Sequence, residues 1–177
     1  EQGEAQSGEP LELTASYRGV TETEIVMGVA AIDAAQIEEL FGIDIGVFNL
    51  ENFLNSQAEA LNESGGIHGR NLSIIISSFL PIGAADSERV CTELMEDNEV
   101  FVVMGQFLED NALCITETHG HPYVGHFGEN QERRERSNGL FFAVEMEQTL
   151  QRTAGTSAMI AAGDFDDRNV AIYYEAD

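Results

Sequence analysis

The sequence contains no lysine. Its eight basic residues are all arginine, against 32 acidic residues, and the formal net charge is −24 over 177 residues. A phosphate-binding P-loop needs a lysine, so that nucleotide site is excluded. Response-regulator receiver domains share an alternating α/β layout but use a lysine after the fifth strand, and they fail on the same ground. The acid excess also sets aside nucleic acid and anionic membrane as partners, because a phosphate surface would be repelled. Such a bias describes a heavily solvated surface, one suited to salty surroundings, rather than a dedicated cation site.

Other features are equally scarce. No apolar run approaches the roughly 18 residues a membrane span needs. Neither the n-region nor the h-region of a signal peptide is present. The opening "EQGEAQSGEP" is polar, acidic and glycine-bearing, and it reads as a flexible leader over residues 1–23: a linker, or an end left by processing. A dinucleotide site wants G-x-G-x-x-G after the first strand, and "GVAAIDAA" lacks it. No Ser/His/Asp or Cys/His set stands at a recognisable spacing, so no nucleophile is assigned and no cofactor is expected. Only two cysteines occur, Cys91 and Cys114. Their number permits one disulfide without requiring it; two buried thiols packing as small hydrophobes fit the composition as well.

What is present is enough for a core, at 43% hydrophobic, in a length that suits one domain or one domain plus part of another. "EIVMGVAA" (Glu24–Ala31) reads as a strand buried on both faces, since it lacks strict polar alternation. A short helical turn follows in "IDAAQIEELFG". From Asp44 a helical period begins, with Val47, Leu50, Leu54, Ala58 and Leu61 on one face. "NLSIIISSF" (Asn71–Phe79), "VFVVMG" (Val100–Gly105), "PYVGHF" (Pro122–Phe127) and "GLFFAV" (Gly139–Val144) read as further strands. Helices are expected over Ala84–Asp97, from Glu109 to the stop at Gly120, and over Glu147–Ala162. "NVAIYYE" (Asn169–Glu175) reads as a sixth strand, apolar and uncovered, and through it two copies of the fragment could pair. Strands alternating with helices imply an α/β fold: an open parallel sheet of right-handed βαβ units, with helices on both faces.

The joint between the long helix and the second strand is "LNESGGIHGRNLSIII" (Leu61–Ile76). Gly65 or Gly66 can take the left-handed backbone of a helix C-cap, Ile67 can seal it, and Arg70 suits the negative end of the helix dipole. The segment "GGIHGRNLSIII" also resembles the Gly-Gly-Ile-x-Gly-Arg turn of the type I periplasmic binding proteins, in particular the branched-chain amino-acid-binding family of ABC importers. "TETEIVMGVAA", "CTEL", "EDNEVFVVMG", "HPYVGHF" and "NVAIYYE" follow in that family's order, so the resemblance spans about Thr21 to Glu175. It implies a flavodoxin-like strand order, an N-terminal ligand-binding lobe over 24–145, and a crossover helix with the first strand of a truncated second lobe over 146–177. It further implies an extracytoplasmic protein, periplasmic or held at the cell surface by a lipid anchor on its leader, that captures an amino acid or related small molecule between two lobes without catalysis and delivers it to an ABC permease. A ligand-sensing receptor ectodomain built on the same lobes is the alternative. An extracytoplasmic setting also favours a Cys91–Cys114 disulfide.

Ligands of open α/β sheets bind beyond the carboxyl ends of the strands. The candidates are therefore Ile32 and Asp33 after the first strand, Phe79 and Leu80 after the second, Gln106, Phe107 and Glu109 after the third, and His126, Phe127 and Glu129 after the fourth. Glu109 and Glu129 stand where the resembling amino-acid binders carry Ser or Thr, and His126 and Phe127 where they carry small residues. Two carboxylates there would repel a ligand carboxylate unless a cation or arginine intervened, so a neutral, cationic or aromatic ligand is expected, with Phe79, Phe107 and Phe127 available for stacking or cation–π contact. The same rings could equally plug the sheet end as core. His119, His121 and His126 lack an identified partner ligand, and no metal site is assigned. "ERRER" (Glu132–Arg136) is expected to be a solvated, self-paired loop, the alternative being that one of its arginines reaches into the cleft as an anion anchor.

Overall fold

The computed structural model describes residues 12–46, 49–125, 131–144, 148–169 and 171. Its centre is a five-stranded, wholly parallel sheet in the order β2-β1-β3-β4-β5, with β1 Glu24–Ile32, β2 Asn71–Phe79, β3 Val102–Gly105, β4 Tyr123–Gly125 and β5 Phe141–Ala143. This is the flavodoxin-like order expected from the sequence. β1 pairs with β2 along its whole length, from Glu24↔Asn71 to Ile32↔Phe79, and with β3 from Met27↔Val102 to Ala30↔Gly105. The helices are α1 Ala34–Phe41, α2 Leu50–Glu63, α3 Ala85–Thr92, α4 Gln131–Arg136 and α5 Gln148–Ala161.

Several boundaries differ from the sequence reading, each for a local reason. The long helix does not start at Asp44, because the Asp44 carboxylate turns back to accept the Gly46 amide at 2.8 Å, and Asn49 supplies the true N-cap by accepting from Asn52. α3 runs on as a π-helical turn, Glu93–Asp97. The third helix is a 3₁₀ turn, Glu109–Ala112, followed by a π turn, Cys114–Thr118. Gln131–Arg136 is helical rather than a loop; Arg136 keeps an internal pair with Glu132 at 4.0 Å, while Arg133 and Arg136 also reach across to Asp110 at 2.7 and 3.0 Å and Arg136 grips Glu117. The leader is not free over its last part, since Val20 bridges Ile25 and Tyr17 sits edge-on to Phe101 and His121. The sixth strand lies almost wholly outside the described residues; the two that are described, Asn169 and Ala171, are not in a strand.

At the α2–β2 joint Gly66 takes φ +68°, and its amide donates to Leu61 O at 2.9 Å, which closes the helix end. A Cβ there would lie 2.0 Å from Arg70 O, so glycine is required by space as well as by backbone. Arg70 does not cap α2. Its guanidinium donates to Thr21 O and Thr14 O at 2.6 and 3.0 Å and ties the segment before β1 to the turn. Asn62 completes the joint by bonding both the amide and the carbonyl of Leu72.

The core lies on one face of the sheet, where Ala30, Phe79, Val103, Tyr123 and Phe141 meet Val90, Leu94, Met95 and Ile115 from the covering turns. Gly28 is the closest approach there, its missing Cβ leaving room for Leu94 and Val100. Cys91 and Cys114 join these two turns by a disulfide with Cα atoms 6.3 Å apart. On the opposite face α2 covers β2, while Met104 and Phe142 on β3 and β5 are 38% and 51% exposed.

The disulfide closes a 23-residue separation, a crosslink worth about 3 kcal/mol on the chain-entropy model. The double substitution Cys91→Ala/Cys114→Ala is expected to lower the unfolding free energy from chemical denaturation by an amount of that order. A second outcome follows from the charge. Raising salt from about 0.1 M to about 1 M shortens the screening length from about 10 Å to about 3 Å. The thermal midpoint of a chain at −24 should therefore climb with NaCl; a flat or falling midpoint would show that carboxylate repulsion does not govern stability.

Candidate functional site

All five strands run the same way, so their carboxyl ends form one rim. A groove of about 560 Å³ opens beside that rim, on the sheet face not occupied by the core. Its floor is Met27, Val29, Met104 and Val124; Leu50 and Leu54 of α2 with Ile45 form one wall; Ile32, Ala34, Gln106 and Val144 stand at its mouth. Apart from Gln106, the lining residues are apolar or glycine, a composition typical of small-molecule pockets.

The loop after β3 is the most tightly constructed part of the rim. Gly105 adopts φ +154°, and a Cβ there would fall 2.2 Å from Ala30 O of the neighbouring strand. Tyr123, 1% exposed, donates its hydroxyl to Gly105 O at 2.9 Å and accepts the Phe107 amide at 3.0 Å. Burial pushes the Tyr123 phenol far above its usual range, so it stays a neutral donor throughout. Its ring also packs between Phe107 and Phe141, with centroids 5.9 and 5.1 Å away. The loop after β2 is held differently. Asp86 accepts the Leu80 amide at 2.7 Å and pairs with Arg89, which in turn holds Glu93 and Ser78 O. The Leu80 amide, then Arg89, keeps the Asp86 carboxyl below the ordinary carboxylate range.

Of the residues expected at the site from sequence, Ile32 and Gln106 line the groove mouth. Asp33 lies between Ile32 and Ala34, caps α1 by accepting the Gln36 amide at 2.9 Å, and is half-buried. Leu80 follows β2 as expected, with its amide committed to Asp86. Phe79 and Phe107 are placed otherwise: they are 1% and 3% exposed, 5.2 Å apart, and belong to the core face. Stacking on a ligand is not open to them in this arrangement, because their side chains point away from the groove into the packed layer. Glu109 opens the 3₁₀ turn after β3. His126, Phe127 and Glu129 lie outside the described residues. Tyr123, Met104, Ile45 and Val144 were not singled out from sequence. Tyr123 reads there as one more strand residue, and only a pairing of β3 with β4 would have revealed its reach to the next loop.

The histidines diverge. His119 Nε2 lies 4.0 Å from Glu96, while His121 is buried with Nδ1 3.2 Å from Phe101 O. Among the described residues, Cys91, Cys114 and His119 bring ligand-type atoms within 4.8 Å of one another, but both sulfurs are consumed by the disulfide.

No family model matches the sequence, and no curated protein matches it. Solved structures do share the fold. An ABC transporter substrate-binding protein from Desulfitobacterium hafniense is 18% identical with a TM-score of 0.55, over 80% of this chain and 39% of its own. A solute-binding protein of an ABC transporter from R. palustris, in complex with 4-hydroxybenzoate, is 16% identical with a TM-score of 0.55, over 79% and 36%. The branched-chain amino acid transporter substrate-binding protein from Streptococcus pneumoniae, in complex with isoleucine, is 15% identical with a TM-score of 0.52, over 72% and 35%. The chain thus spans well under half the length of these proteins, and its α/β sheet has the fold of a type I periplasmic binding protein lobe.

Replacing Tyr123 by Phe leaves the ring packing in place but orphans Gly105 O and the Phe107 amide. The expected cost is about 1–3 kcal/mol in chemical denaturation. Faster hydrogen exchange at the Phe107 amide would confirm that the phenol holds this loop; unchanged exchange would refute it.

Proposed function

We propose that this chain is a ligand-binding lobe of an extracytoplasmic solute-binding component of an ABC importer. On this reading residues 24–145 form the first lobe, and 146–177 carry the crossover into a second. An amino acid or related small molecule is captured between the two without chemical change, and the closed form is what a permease recognises. The observation that carries the reading is the single rim of parallel strand ends beside an apolar groove, in a sheet of 2-1-3-4-5 order. Such crevices outside the carboxyl ends of strands are where open α/β sheets take their ligands. The Cys91–Cys114 disulfide supports a place outside the cytoplasm, where such bonds persist.

A clamshell closes on its solute only through contacts that the closed state adds. One lobe alone forgoes those contacts. Calorimetry should accordingly find saturable binding of small amino-acid-like solutes to the two-lobed protein, and no micromolar binding to the 177-residue chain alone. Micromolar affinity in the isolated chain would overturn capture between lobes.

A further inference from the structure

We infer that the end of the ligand presented to this lobe carries no negative charge, so that a free carboxylate is excluded there. The inference rests on the solute-capture reading and adds to it the chemical class that this face accepts.

A carboxylate taken out of water needs charge-assisted donors: a guanidinium, an ammonium or converging backbone amides. Among the described residues, the rim supplies little of this. Lysine is absent from the sequence. The arginines that flank the rim are already paired. Arg89 bonds Asp86 and Glu93 at 2.7 and 2.9 Å and spends its remaining arm on Ser78 O at 2.6 Å. Arg133 is held at 2.7 Å by Asp110, in the turn just beyond β3, and Arg136 by Asp110 and Glu117. Releasing Arg89 or Arg136 to a ligand would break two ion pairs, and releasing Arg133 would leave Asp110 to Arg136 alone.

Among the described residues, the backbone donors closest to the ends of β1, β2 and β3 are committed as well. The Asp33 amide donates to Phe79 O at 2.9 Å, Leu80 to Asp86 at 2.7 Å, Gln106 to Ala30 O at 3.3 Å and Phe107 to the Tyr123 hydroxyl at 3.0 Å. Negative charge meanwhile stands at the end of β1, where Asp33 follows directly, and the turn after β3 opens on a second acidic residue, Glu109. The surrounding protein, at −24, deepens that potential.

The groove offers an apolar wall and one amide side chain, that of the exposed Gln106. An amide can donate to or accept from a neutral polar group, and an acidic rim attracts an ammonium. A carboxylate would be desolvated against apolar walls while facing like charge, the least favourable of the three arrangements. The aliphatic or aromatic body of the ligand then fills the groove, and an amide, hydroxyl or amine faces the rim.

Matched pairs test this on the full-length, two-lobed protein at fixed salt and neutral pH: isoleucine against isoleucinamide, and 4-hydroxybenzoate against 4-hydroxybenzamide, within a wider panel of amides, amines and carboxylates. The uncharged or cationic member of each pair is expected to bind tighter by about tenfold or more in calorimetry. Asp33→Asn removes one charge yet keeps the α1 cap, because asparagine accepts the same amide. Combined with Glu109→Gln, it should shrink the preference by about fivefold or more. Carboxylates that bind as tightly as their amides, or a preference untouched by the double substitution, would overturn the inference and leave solute capture standing. No binding by any panel member would overturn solute capture and this inference with it.

Discussion

Parallel pairing of β1 with both β2 and β3 is the constraint from which the rest follows. In a parallel sheet, neighbours must point the same way, so every return path crosses from one end of the sheet to the other. The ladders from Glu24↔Asn71 to Ile32↔Phe79 and from Met27↔Val102 to Ala30↔Gly105 bring the carboxyl ends of these strands to a common level. That alignment makes the rim. It also sets the steric demand at Gly105, whose position beside Ala30 O has no room for a side chain. The Tyr123 bridge works only because β4 is in register with β3, Val103 against Tyr123, which places the phenol below the next loop.

The fold was largely legible in the sequence because its signals are local and strong. Uninterrupted apolar runs mark strands buried on both faces, and the glycines after Glu63 mark a forced reversal. The strand order came from the resemblance rather than from these local signals. Boundaries were less legible where a side chain competes with the helix. Asp44 favours a turn with Gly46 over a helix start, and only Asn49 offers a cap that lets the period proceed. The π turns at Glu93–Asp97 and Cys114–Thr118 were hidden because an apolar stripe of period 3.6 tolerates one extra residue per turn over so short a stretch.

The site was legible only to the level of loops. Knowing that a residue follows a strand does not say which face of the sheet its side chain takes. Successive residues alternate, so Phe79 falls on the packed face with Ser77, and its partner Ser78 is exposed. Phe107 illustrates a different limit. It lies past the end of β3, yet the Tyr123 hydroxyl draws its backbone inward and its ring joins the core. Aromatic residues at a rim therefore carried two meanings, and tertiary packing decided between them. Ile32 and Gln106 differ from these rings in that they line the groove beside α2.

The acidity of the chain and the shape of the rim belong to one argument. With eight basic residues against 32 acidic ones, arginine is scarce, and the structure uses it to hold elements together. Arg70 fastens the entry to β1, Arg89 fastens α3 to the end of β2, and Arg133 and Arg136 fasten α4 to the turns beyond β3. The ties of Arg89, Arg133 and Arg136 are also local answers to carboxylate repulsion, so none of these three is easily spared for recognition. In a chain less acidic, a rim arginine could be kept free for a ligand at little cost to the fold. Here the same residue is needed twice, and the fold takes it. What remains for recognition is what a rim without a spare cation among the described residues can still supply: shape, apolar area, the Gln106 amide and an attraction for positive charge.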